Sequence, residues 1–82
     1  MQTIKVNTRT NATGSVTTFS VNGTCVAHVG KDFHNIGRYA GRINHAGGAM
    51  CNNCTFTDAV EFITGAITAH FAAFGLAVEF TD

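Results

Sequence analysis

An α+β fold is expected from this chain: a two-layer sandwich with helices on one face of a mainly antiparallel sheet, in the order β-β-β-α-α-β. Asn22-Gly23 separates two runs rich in Val, Thr and Phe, the two-residue connection that a type I′ hairpin demands. Residues 58–74 repeat apolar side chains at helical spacing. Leu76, Val78 and Phe80 alternate with Ala77, Glu79 and Thr81, the pattern of a half-buried strand.

Along the chain, residues 3–9 alternate, with Ile4 and Val6 on one side and Lys5, Asn7 and Arg9 on the other, which reads as a first strand. Residues 10–14, TNATG, carry turn chemistry. The hairpin comprises Val16–Val21 and Thr24–Val29. Its turn sets Val21 opposite Thr24, Phe19 opposite Val26 and Thr17 opposite His28, so that Phe19, Val21 and Val26 face the core together with His28. In residues 33–45, Phe33, Ile36, Ala40 and Ile43 fall at helical spacing, with Asp32 as N-cap and Gly47-Gly48 as the stop. Gly37 and Gly41 weigh against a helix there by about 1 kcal/mol each. A strand would put Arg38 and Arg42 on the same side as Ile36 and Ala40, and the helix is preferred. Residues 46–56 read as a loop. The helix at 58–74 is capped by Thr57 or Asp58, Asp58 and Glu61 having capping-box spacing. It presents Val60, Ile63, Ile67, Phe71 and Phe74 as its stripe, and Gly75 ends it.

The 82 residues form one domain, 1–82, with no linker or repeat. Five basic and five acidic residues give zero net charge, which excludes a uniformly basic coat or an acidic mimic of nucleic acid. With 45% hydrophobic residues the chain is not disordered by composition. No run approaches the ~18–20 apolar residues that span a bilayer, and MQTIKVNTRT has no apolar signal region. A reducing, cytoplasmic setting is expected. A core this small is marginal, which favours a homodimer, a metal or a partner protein.

Cys51-x2-Cys54 with His45 five residues ahead is the local grouping suited to zinc, since two thiolates grip one ion and imidazoles complete a tetrahedron. The ligand set would be Cys51, Cys54, His45 and His34. A second C-x2-C is missing, and ordinary loop thiols beside ordinary histidines account for the same residues more often. Zinc-deaminase chemistry is excluded, because Gly47 stands where its proton-moving Glu must be. A thioredoxin-type pair would open a helix, whereas Cys54 lies ahead of one. Two serines and no paired carboxylates leave nucleophilic and acid–base catalysis without support, so the chain is read as no enzyme. The sequons at Asn11, Asn22 and Asn53 are attributed to composition.

All five basic residues (Lys5, Arg9, Lys31, Arg38 and Arg42) precede residue 46, and four of the five acids follow it. The function expected is a non-enzymatic protein-binding module without a cofactor, anchored by Arg38, Tyr39 and Arg42 on one helix face with Lys5 and Arg9 nearby. Its partner is a protein or a nucleoprotein complex. Small phage or mobile-element inhibitors of host defence, anti-CRISPR proteins among them, share this size and act by occluding a partner's surface. The alternatives are a zinc-binding structural module on the Cys51/Cys54 loop and a weak nucleic-acid binder using Lys5, Arg9, Arg38 and Arg42. Five cations and one Tyr are thin for the latter.

Overall fold

The computed structural model describes residues 2–14, 16–44 and 48–81. The elements are β1 (Gln2–Thr10), β2 (Thr17–Val21), β3 (Thr24–Lys31), β4 (Tyr39–Ile43), β5 (Met50–Cys54), α1 (Phe56–Ala72) and β6 (Leu76–Thr81). The strands form one mixed sheet in the order β5-β4-β3-β2-β1-β6. Neighbours are antiparallel except β1 and β6, which run parallel. The α+β class and the mainly antiparallel sheet hold, but one helix stands where two were expected.

The helix carries the chain from β5 at one edge to β6 at the other. Its 17 residues rise about 25 Å, and five strand intervals of about 4.8 Å make a similar width. It packs on β3, β4, β5 and β6, and the sheet curls so that both edges meet it. Ala59, Ile63 and Ile67 supply its buried side, against Val6, Phe19, Ala27, Val29 and Ile43 of the sheet. Phe80 adds an edge contact to Phe19, with centroids 6.2 Å apart.

The β2–β3 turn follows expectation. Asn22 and Gly23 take φ of 51° and 81°, and Val21 pairs with Thr24. The register beyond it does not. Ser20 pairs with Cys25 but Phe19 pairs with Ala27, so Val26 is an extra residue, a β-bulge. A one-residue shift reverses the faces. Ala27 and Val29 are therefore buried, Val26 and Val21 only border the core, and His28 lies on the opposite face from the one expected.

Residues 33–45 are not a helix. The chain turns through residues 33–37 and then forms β4. Gly37 has φ of 78°, which breaks helical continuity. Gly41 is buried against α1, where a Cβ would lie 2.6 Å from Ile63 Cγ1. The expected loop at 46–56 contains β5, which carries a bulge of its own. Tyr39 pairs with Cys54 and Gly41 with Cys51, and Asn53 within the bulge has φ of 53°.

The helix begins two residues earlier than expected. Thr55 is its N-cap, its hydroxyl accepting from Asp58 N at 3.1 Å, and Asp58 in the first turn suits the helix dipole. Thr57 and Asp58 are therefore inside the helix. Phe74 lies beyond its end, 70% exposed, and Gly75 at φ 75° turns the chain into β6.

Gly41→Ala is expected to lower the unfolding free energy by about 1–3 kcal/mol, because Ile63 and Val29 must shift to admit a methyl group. Urea denaturation reads this as a lower midpoint at unchanged slope. An unchanged midpoint would show that α1 does not press on β4 there.

Candidate functional site

The connection from β3 to β4 is short, polar at its base and apolar at its tip. At its base Asp32 is 7% exposed. Its Oδ1 accepts from His34 N at 2.9 Å, and its Oδ2 accepts from Asn35 Nδ2 at 3.0 Å and from Asn53 N at 2.8 Å. A buried carboxylate is tolerated when donors satisfy it, and here three do. The Asn35 amide first, then the Asn53 and His34 backbone N–H groups, hold its carboxyl below the ordinary value of 3.8, against an opposing effect of burial.

The backbone closes the same loop. Asp32 N donates to Arg38 O at 3.0 Å, Asn35 N to Asp32 O at 3.2 Å and Arg38 N to Asn35 O at 3.0 Å. Arg38 then clamps the β5 bulge: Nη2 donates to Asn53 O at 3.0 Å and Nε to Asn53 Oδ1 at 3.2 Å. Asp32 and Arg38 thus tie both ends of the loop to one residue of an edge strand.

This base holds Phe33 and Ile36 out in solvent, 95% and 101% exposed. Behind Phe33 and His34 lies a hollow of about 590 Å³, bordered on the sheet by His28, Gly30, Ala40 and Arg42. It opens onto the sheet face away from α1. Across that face the register aligns Arg9, Thr18, His28, Arg42 and Met50 in one row over five neighbouring strands. Arg9, Arg42 and Lys5 are exposed, and none forms a side-chain hydrogen bond or ion pair with another described residue.

The five residues expected to share a partner surface are thereby divided. Lys5, Arg9 and Arg42 do lie on one face, the open one. Arg38 belongs to the loop brace. Tyr39 is half-buried on the helix side, its ring edge-on to Phe56 at 5.2 Å, so it does not sit beside Arg42. The shared helix face assumed for Arg38, Tyr39 and Arg42 is absent because the segment is a strand.

The thiols of Cys51 and Cys54 both border the core. Burial first, then the hydrogen bond with Cys54, raises the Cys51 thiol above its ordinary 9.0. His34 is exposed at the loop tip, away from the core. His45 lies outside the described residues. Among the described residues no three His, Cys, Asp or Glu side chains gather as a metal site. Sequence reasoning passed over Asp32 as a brace, Asn53, and Phe33 and Ile36 as surface residues. The signal available was the pair Gly37 and Asn35 beside Asp32, which is turn chemistry.

Asp32→Asn is expected to melt at a lower temperature than the wild type at neutral pH. A carboxyl depressed in the folded state stabilises above its ordinary value, and that contribution is lost as pH falls through the folded one. The gap between the two proteins should therefore close as pH falls past the ordinary value of 3.8 and through the lower folded one, which thermal melts at stepped pH would show. A gap that stays constant with pH would mean the charge of Asp32 is not what holds the loop. No helix among the described residues is long and apolar enough to cross a membrane. Comparison with known protein families, curated proteins and solved structures finds no match to this chain.

Proposed function

We propose that the chain is a non-enzymatic binding module that docks on a protein partner through the β3–β4 loop, with Phe33 and Ile36 as its anchors. The exposure of these two large apolar side chains on one hydrogen-bonded loop carries the reading. Scattered apolar residues are ordinary on a surface. Two that are almost wholly exposed, three positions apart on a loop tied down at both ends, are arranged for contact.

The brace matters energetically. A loop already held in place loses little further freedom on docking, so more of the contact energy appears as affinity. Burying a Phe or Ile side chain contributes about 1.5–3 kcal/mol. Lys31, His34 and Arg42 flank the anchors and suit a partner with acidic groups around an apolar pocket. Occluding a working surface on a larger assembly, as small mobile-element inhibitors of host defence do, is the mode of action such a module fits.

Phe33→Ser with Ile36→Ser should weaken partner binding at least about a hundredfold while leaving the melting temperature within about 2 °C, since exposed side chains add little to stability. The check is capture by immobilised wild type and double variant from the same nuclease-treated lysate, followed by titration of whichever protein only the wild type retains. Equal retention by both proteins would overturn the assignment.

A further inference from the structure

We propose that the open face of the sheet binds single-stranded nucleic acid through its phosphodiester backbone, with Arg9 and Arg42 as the charged contacts and Phe33 as a stacking platform. This goes beyond the protein-docking reading; the two share Phe33 and Arg42, whereas Arg9 belongs to this reading alone and Ile36 to the other alone.

The cross-strand register places Arg9, Thr18, His28 and Arg42 in line. At about 4.8 Å per strand, the two guanidinium-bearing positions stand about 14 Å apart. Neighbouring rows on the same face pair Asn7 with Ser20 and Gly30 with Ala40. The face is therefore low, with hydroxyl, amide and small apolar groups between its cations and Met50 exposed at its β5 end.

On β1 to β4 the register sets no carboxylate on this face among the described residues, and Asp32 borders the hollow at the end of β3. Glu79 is the one carboxylate that the register sets on this face among the described residues, and it lies opposite Lys5 at the β6 edge. Asp58 and Glu61 belong to α1, and the oxygens of Asp32 are occupied within the loop. The segregation of basic and acidic residues along the chain thus persists in space. Lys5 is offset by Glu79, whereas Arg9 and Arg42 are not offset.

The chemistry selects the ligand. A protein interface has an apolar centre, and the centre of this face is Thr18, His28, Gly30 and Ala40. A duplex is read by an element that enters a groove, and among the described residues no helix or two-stranded ribbon stands out from this face to do so, only the tight β3–β4 loop at its margin. A single strand needs a charged track and a ring on which a base can stack. The hollow of about 590 Å³ between Phe33 and the Arg42–His28 pair supplies both at one place.

The test is fluorescence anisotropy of the wild type with labelled oligo-dT and oligo-U of about 20 nucleotides, beside a duplex of the same length and a polyglutamate peptide, from ~50 to ~300 mM KCl. Single strands should bind in preference to both competitors, with a log–log salt slope of about −1.4 for two neutralised phosphates. Arg9→Ala with Arg42→Ala should lower affinity at least tenfold and flatten the slope. Phe33→Ala should cost about tenfold, whereas Lys5→Ala and Ile36→Ala should change little. The Arg9/Arg42 variant's melt, if unchanged, shows that the loss is one of contact; if it unfolds, the charge-removing Arg9→Gln and Arg42→Gln replace it. Absence of single-strand binding at the lowest salt, tighter binding of polyglutamate or duplex, or indifference to the arginines would each overturn the proposal. Failure of these arms leaves the Ile36-dependent protein contact standing, and loss of that contact leaves these arms intact.

Discussion

One extra residue in β3, Val26, decides which way half of that strand points. With it, Ala27 and Val29 turn inward to meet Ile63 and Ile67 of α1, and His28 turns outward into line with Arg42. Without it, an imidazole would point at the helix and have to be desolvated. The small core and the open polar face are two results of the same local irregularity. Close approach of α1 depends on it as well, because Val29 and Gly41 are neighbours in the ladder and together make the seat for Ile63.

The β3–β4 loop is held by a different force. It buries neither of its large apolar residues, Phe33 and Ile36, so hydrogen bonds do the holding, and they converge on Asp32 and Asn53. Asn53 can serve because the β5 bulge turns its backbone into the left-handed region, where Asn is tolerated. A loop secured by polar groups leaves its apolar side chains unused by the fold. This is how a chain with so small a core can still leave Phe33 and Ile36 in water.

The sequence made part of this legible. Alternation in residues 3–9, the Asn22-Gly23 turn and the stripe of Ile63 and Ile67 all describe real elements. The bulge at Val26 has no glycine and no other mark, so register counted from the turn fails one residue past Cys25. The helix assigned to 33–45 arose because Phe33, Ile36, Ala40 and Ile43 share a helical spacing by accident. Two of them are exposed and only Ile43 is buried. A strand puts Arg42 on the same side as Ala40, which counts against it only if both faces of the strand are covered. Here one is open. β5, with the sequence MCNNC, has no β-branched residue to announce it. The alternation in β1 puts Lys5 and Arg9 together on its exposed side, as the structure does. The shared helix face of Arg38, Tyr39 and Arg42 is absent, because the bulged β4–β5 pairing that separates them is tertiary.

The parallel pairing of β1 with β6 has a kinetic side. It joins residues 2–7 to residues 76–81, strands with every other element of the sheet between them in sequence. Contacts so distant in sequence slow folding, since the chain's freedom is surrendered before the pairing rewards it. During synthesis β1 pairs with β2 on one side, and its other edge stays bare until residue 81 has been made. In that interval an incomplete sheet edge is open to other strands. The connection to that edge runs through α1, which crosses the sheet from β5 to β6, so the docking of the helix and the closing of the edge are coupled.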